Sequence, residues 1–131
     1  MQLVSAYSYD GITHLYELLK ERTSDQSISH KEMPTMDEHI KFVESLPYPH
    51  WYLIIDEDVV GAIYLTDKRE IGIAVFKKHR GNGYATEAID ELKKLHPGNF
   101  LANINPLNEP SMNLFMKTGF KHIQNTLIHE S

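Results

Sequence analysis

One passage constrains the fold more than any other. A β-patterned segment, Glu70–Phe76, runs into the glycine-rich HRGNGYAT, then into a helical pattern ending at Leu95, then into a further extended segment, Phe100–Asn105. Two strands joined through one helix require a crossover, and a crossover makes them parallel. The residues before this passage require the opposite arrangement. Trp51–Ile55, a turn at Asp56-Glu57-Asp58, and Val59–Leu65 read as a β-hairpin. A second turn at Asp67-Lys68 leads into Glu70–Phe76, with Ile71, Ile73 and Val75 on one face. Three sequential antiparallel strands and one parallel crossover give a mixed, mostly antiparallel sheet in an α/β (α+β) domain.

The other elements follow from periodicity and capping. Residues 2–7 read as a first strand. Asp10 is the expected N-cap of a helix to Arg22, with Ile12, Leu15, Tyr16 and Leu19 at helical spacing. After the polar stretch TSDQSISHKEMP, Thr35 and Glu38 form a capping box opening a second helix, whose stripe is Met36, Ile40 and Val43. Pro47-Tyr48-Pro49 ends it. The helix to Leu95 buries Ala85, Ala88, Ile89, Leu92 and Leu95, and Pro97-Gly98 stops it. Asn108 caps a last helix to Thr118, closed by Gly119 with Phe120 in apolar contact. The tail Lys121–His129 is strand-like. These elements form no repeat and leave no linker, so residues 1–131 are expected to be a single domain.

Composition excludes several function classes. No cysteine is present, which removes disulfides, thiolate zinc sites and a cysteine nucleophile together. The net charge of −5 lacks the basic footprint of a nucleic-acid binder. Apolar runs of only a few residues predict no membrane span, and the start MQLVSAYSYD has neither a basic nor an apolar leader region, so a cytoplasmic protein is expected. The eight histidines show no ligand-type spacing, and no metal is predicted. Charge is uneven: residues 10–62 hold four basic and eleven acidic side chains, against nine and seven elsewhere. That asymmetry suits a cationic substrate on one side and a phosphorylated one on the other, or simply two differently solvated faces.

The segment Arg80-Gly81-Asn82-Gly83-Tyr84-Ala85-Thr86 joins a strand to a helix N-terminus, where first-turn amides have no internal acceptor and an anion is welcome. Lys77, Lys78 and Arg80 add positive charge. A plain tight turn, a dinucleotide fingerprint and the pyrophosphate loop of an acyl-coenzyme A enzyme all compete here. The fingerprint needs a third glycine and a later acidic residue, whereas Thr86 and Asn103-Ile104-Asn105 stand at those places.

The chain resembles the GCN5-related N-acetyltransferase (GNAT) family. Arg80-Gly81-Asn82-Gly83-Tyr84-Ala85 matches that family's Q/R-x-x-G-x-G/A motif, after a strand of the usual form, EIGIAVF. Asn108-Glu109-Pro110-Ser111 and the helix ending Gly119-Phe120 resemble its second motif. The resemblance is specific over about residues 59–121 and implies helices on both faces of the sheet.

The resemblance implies acetyl-CoA as cofactor. The backbone of Ile73, Ala74 and Val75 would pair with the pantetheine arm in a splay between two strands. Residues Gly81, Asn82, Gly83, Tyr84, Ala85 and Thr86 would hold the pyrophosphate, with Arg80 opening the loop, and Asn108 would contact the cofactor. An amide near Val75 would stabilise the oxyanion of the thioester carbonyl. Glu70 sits where the family often places a carboxylate base, while Asn103 replaces an acidic base that some relatives carry. Phe115 stands at the position of the usual acid, a Tyr, which leaves Tyr64 and Tyr84 as candidates from outside the pattern.

For the acceptor, the resemblance points to His30 as a catalytic or substrate-binding group and to Trp51 as a ring against which substrate stacks. His39 reads as a boundary residue of the second helix. The expected acceptor is a small-molecule amine, such as an amino sugar, or a peptide amine. A homodimer could cover the short C-terminal flank. The rival function is a non-catalytic acyl-CoA-binding or regulatory module, motivated by Phe115.

Overall fold

A computed structural model describes residues 1–25, 33–104 and 107–130. Within them, four strands form one antiparallel sheet in chain order: β1 (Gln2–Ser5), β2 (His50–Asp56), β3 (Asp58–Leu65) and β4 (Ile71–Val75). The described residues also form helices α1 (Tyr9–Asp25), α2 (Met36–Glu44), α3 (Tyr84–Leu95) and α4 (Glu109–Lys117). Helices cover both faces. Leu15, Leu18 and Val43 of α1 and α2 pack with Trp51, Leu53 and Ala62 on one side. Ala88, Ile89, Leu92 and Phe115 of α3 and α4 pack with Ile54, Val60, Ile63 and Leu65 on the other.

A bulge reconciles that second core with strand alternation. Ile54 pairs with Gly61 and Ile55 with Val59, so Val60 is an extra residue on β3. Side chains alternate strictly only in an unbroken strand, and the insertion lets Val60 join Ile63 and Leu65 on one face. Leu92 is fully buried at the centre of this layer. Leu92→Ala is expected to lower stability by about 3 kcal/mol, because lost transfer energy and an unfilled cavity add. Urea denaturation should show a lower midpoint with an unchanged slope.

Helix α3 is held at each end. Its C-terminal side is clasped by Arg69, whose guanidinium donates to the carbonyls of His96 and Asn99 at 2.7 Å and covers the Phe100 ring at 4.7 Å. Its first residue, Tyr84, donates a phenolic hydrogen bond of 2.6 Å to Asp56 in the β2–β3 turn. The Lys93 ammonium donates to the Thr118 carbonyl at 2.7 Å and so ties α3 to the end of α4.

The Thr35–Glu38 capping box forms as expected. Other expectations need correction, the first on α3, where Leu95, expected in the buried stripe, is 48% exposed because it stands in the last turn beyond the packed face. Ser8, not Asp10, caps α1: its hydroxyl accepts from the Gly11 amide at 3.1 Å, and Asp10 lies within the first turn. On α2 the buried residues are His39 and Val43, while Met36 is 38% exposed. His39 is buried because its Nε2 donates to the Ile12 carbonyl at 2.9 Å, so the imidazole has a partner for its polar edge.

Phe100–Asn105 does not form a full strand. Leu101 makes a single parallel bridge with Glu70: the Ile71 amide donates to the Leu101 carbonyl at 2.8 Å, and the Leu101 amide to the Arg69 carbonyl at 2.8 Å. Beyond that point the segment leaves β4, and Asn105 lies outside the described residues. The tail also departs from its reading. Residues 121–130 adopt no strand, and Ile123, Leu127 and Ile128 stand exposed. Alternation gives a strand its pattern, but a strand forms only where its backbone finds a pairing edge.

Candidate active site

The divergence of residues 102–104 from β4 opens the sheet edge. Backbone groups along a strand face alternate sides, and the Ile71 amide points toward Leu101. Ile73 and Val75 therefore turn their backbone groups to the open side. Ala74 shares the opposite sense with Glu70 and Phe76, whose carbonyl and amide bond to Thr66 and Val60 on the β3 side, so its backbone is turned inward. This amends the expectation that all three residues present backbone to the pantetheine arm. The Val75 carbonyl already accepts from Arg80 Nε at 3.1 Å, which leaves the amides as the edge's donors.

At the C-terminal end of β4 the chain passes through a short 3₁₀ turn, Lys77–His79, to the glycine-rich loop. Gly81 and Gly83 both adopt left-handed backbone, with φ of 83° and 79°. A Cβ at either would meet no atom within 4 Å, so the loop turns a bare backbone surface outward. Gly83 occupies the N-cap of α3 without any side-chain cap. The Glu87 amide, donating to the Gly83 carbonyl at 3.1 Å, is the first in an intrahelical bond. The amides of Tyr84, Ala85 and Thr86 precede it and have no helical acceptor. Asn82 Nδ2 donates to the His79 carbonyl at 3.1 Å and closes the loop on itself. The bond to Asp56 holds the Tyr84 phenol away from this surface and is the main reason its pKa is raised. An uncapped helix start, a glycine surface open to its front, and flanking Lys77, Lys78 and Arg80 together fit a diphosphate.

The opened edge leads into a cavity of about 260 Å³. One end is walled by Ile73, Ala74, Asn103, Ile104, Asn108 and Ser111, the other by side chains from α1, α2 and β2. Tyr48 and Tyr64 stack between them, with ring centroids 3.9 Å apart and planes within 4°. Tyr64 lies across β4 opposite Gly72, where a Cβ would overlap its ring and hydroxyl. Glycine at position 72 is what lets that phenol reach over the strand. Burial chiefly, with the neighbouring Tyr64, pushes the Tyr48 phenol up to about 12, against a smaller opposing pull from Arg22. The Tyr7 phenol donates to the Tyr48 carbonyl and fixes that corner.

The family model of the GNAT acetyltransferases matches residues 12–120. The chain belongs to this family. GNAT acetyltransferases draw the acyl group from acetyl-CoA and act on small-molecule or peptide amines. No curated protein sequence gives a significant match. Solved structures do match in fold. An N-acetyltransferase from Staphylococcus aureus Mu50 superposes with a TM-score of 0.76 at 18% identity, over 94% of this chain and 83% of that one. The acetyltransferase AAC(6')-Iy, in complex with a bisubstrate analogue, CoA-S-monomethyl-acetylneamine, gives 0.71 at 14% identity, over 99% and 95%. The microcin C7 self-immunity acetyltransferase MccE, in complex with acetyl-CoA and AMP, gives 0.67 at 14% identity, over 86% and 74%.

In this GNAT acetyltransferase the residues singled out from sequence do not all converge. Asn108 lines the cavity while its Oδ1 caps α4 by accepting from the Ser111 amide at 3.3 Å. Trp51 lines the cavity too, but at 8% exposure it is mainly core, edge-on to Tyr7 and Tyr48. Glu70 stands half-buried outside the wall, its amide held by the Thr66 hydroxyl at 3.0 Å. His30 lies outside the described residues. Phe115 is buried and lines the cavity as a hydrocarbon surface.

Sequence reasoning missed Gly72 and Arg22. It also missed a meeting of His50 and His96, stacked at 3.8 Å at the start of β2, with Tyr52 Oη 2.7 Å from His96 Nε2. Burial first, then His50 and Arg69, lower the His96 pKa. Among the described residues no three His, Asp or Glu side chains gather as a metal site, and no helix is long and apolar enough to cross a membrane.

Proposed function

We propose that the protein moves the acetyl group of acetyl-CoA directly onto a primary amine of a small molecule or peptide. The observation that carries this reading is the continuity of the site. An uncapped, glycine-faced helix start lies at one end of an open strand edge, and that edge runs straight into a walled cavity. Acetyl-CoA supplies an activated thioester. Residues Gly81 to Thr86 bind the diphosphate through backbone amides, Arg80 braces the loop, and Asn108 borders the edge. The Ile73 and Val75 amides orient the arm and face developing negative charge on an acyl oxygen.

Transfer removes one proton from the acceptor nitrogen and returns one to the leaving sulfur. Tyr64 delivers the second, since it lines the cavity above β4 and Phe115 has no proton to give. Tyr84 is committed to Asp56 and does not line the wall. The acceptor loses its proton to solvent. The described wall holds no carboxylate, and the lining His39 has Nε2 engaged by the Ile12 carbonyl. Glu70 is off that wall, so any part it takes runs through water.

Thermal melting and thiol release test the reading together. Coenzyme A should raise the melting temperature and NAD should not, because only a ligand of the folded state stabilises it. Free thiol should appear from acetyl-CoA when an accepted amine is added. Tight coenzyme A binding with no turnover across amine classes would support a non-catalytic module instead.

A further inference from the structure

The acceptor end of the cavity has a composition that selects a chemistry. Its walls include Leu15 and Leu18 from α1, Phe42 from α2, and the rings of Tyr48 and Trp51. Trp51 stands edge-on to Tyr48 at 4.8 Å and to Phe42 at 6.3 Å, so ring faces and ring edges meet in this wall. The formally charged side chain on this wall, among the described residues, is Arg22. It is close enough to Tyr48 to favour the phenolate, and it makes no ion pair with a described side chain. No Asp or Glu of the described residues lines the cavity.

We infer that the acceptor is a primary amine on an aromatic body that also carries a carboxylate, the chemistry of an aromatic α-amino acid. The inference deepens the acyl-transfer reading of this same cavity and rests on it. Aromatic walls alone would also attract a cation. Arg22 decides against one, since a polyamine or a polycationic sugar would set positive charge beside the guanidinium with no described carboxylate to answer it. A carboxylate instead gains a charge-assisted, planar pairing with that group. The acidic balance of residues 10–62, read alone, favoured a cationic substrate. Of the described charges in that stretch, Arg22 alone lines the cavity.

Trp51 is the chain's single tryptophan and lies in this wall, so its fluorescence reports occupancy without turnover. The probes are L-phenylalanine, phenethylamine, which lacks the carboxylate, spermidine and glucosamine, each titrated into the full chain. L-Phenylalanine should bind at least ~10-fold more tightly than the other three, and Arg22→Gln should shrink its advantage over phenethylamine to within ~2-fold. Equal or tighter binding of phenethylamine, spermidine or glucosamine would overturn the inference, as would no response to any probe. The acyl-transfer reading is judged separately by the coenzyme A melting shift. Loss of that shift with L-phenylalanine binding intact would sink the enzyme reading and leave the ring-and-carboxylate site standing.

Discussion

Gly83→Asp is expected to weaken coenzyme A binding by at least ~100-fold, measured by isothermal titration. Three effects add at this position. A φ of 79° is a backbone state that a side chain tolerates poorly, at a cost of roughly 1–2 kcal/mol. The new Cβ would project into the open space in front of the loop, where no protein atom lies within 4 Å. Its carboxylate would then occupy the anion site and repel a diphosphate. Gly83→Ala separates these effects, since it keeps the strain and the added Cβ but not the charge, and should weaken binding less. Unchanged affinity in the aspartate variant would remove the loop from the cofactor site. Circular dichroism and a melting curve of each variant verify that the fold survives.

Tyr64→Phe should lower kcat by ~100-fold, at the lower end of what a positioned proton donor contributes because a thiolate leaves easily. The KM for acetyl-CoA and the coenzyme A melting shift should stay within a few-fold of the parent. That split follows from the geometry. The ring remains, so stacking on Tyr48 and cover over Gly72 remain, and only the hydroxyl is lost. A parallel loss of affinity would mean that the phenol positions the arm. An unchanged kcat would return proton delivery to water.

How much of this was legible without coordinates depended on whether local chemistry decided the outcome. The capping box at Thr35 and Glu38 is a four-residue contract, and it formed as read. Of the stripe set by helical period on α3, Ala88, Ile89 and Leu92 are buried, whereas Ala85 is half-buried and Leu95, at the helix end, is 48% exposed. The glycine turn was legible because the left-handed backbone at Gly81 and Gly83 is one that glycine adopts without penalty.

Failures came where a partner far along the chain decides. Alternation in Lys121–His129 says nothing about whether an edge is at hand. Phe100–Asn105 has strand chemistry, yet its separation from β4 after one bridge is what creates the cavity. His39 reads as a boundary residue until the Ile12 carbonyl, twenty-seven positions away, is found beside it. The aromatic end of the cavity was least legible, since Arg22, Phe42 and Tyr48 meet only through the packing of α1 and α2 on the sheet.

The double tether of α3 bears on how quickly the donor is captured. With Arg69 gripping one terminus and Tyr84 bolted to Asp56 at the other, the helix is tied down at both ends. The gap between its exposed amides and the β4 edge is thus a fixed gauge, set before any ligand arrives. On the proposed reading, a donor nucleotide would meet a preformed seat and give up little free energy to rearranging it. Loosening either tether should therefore slow capture of the donor, even though neither side chain faces it.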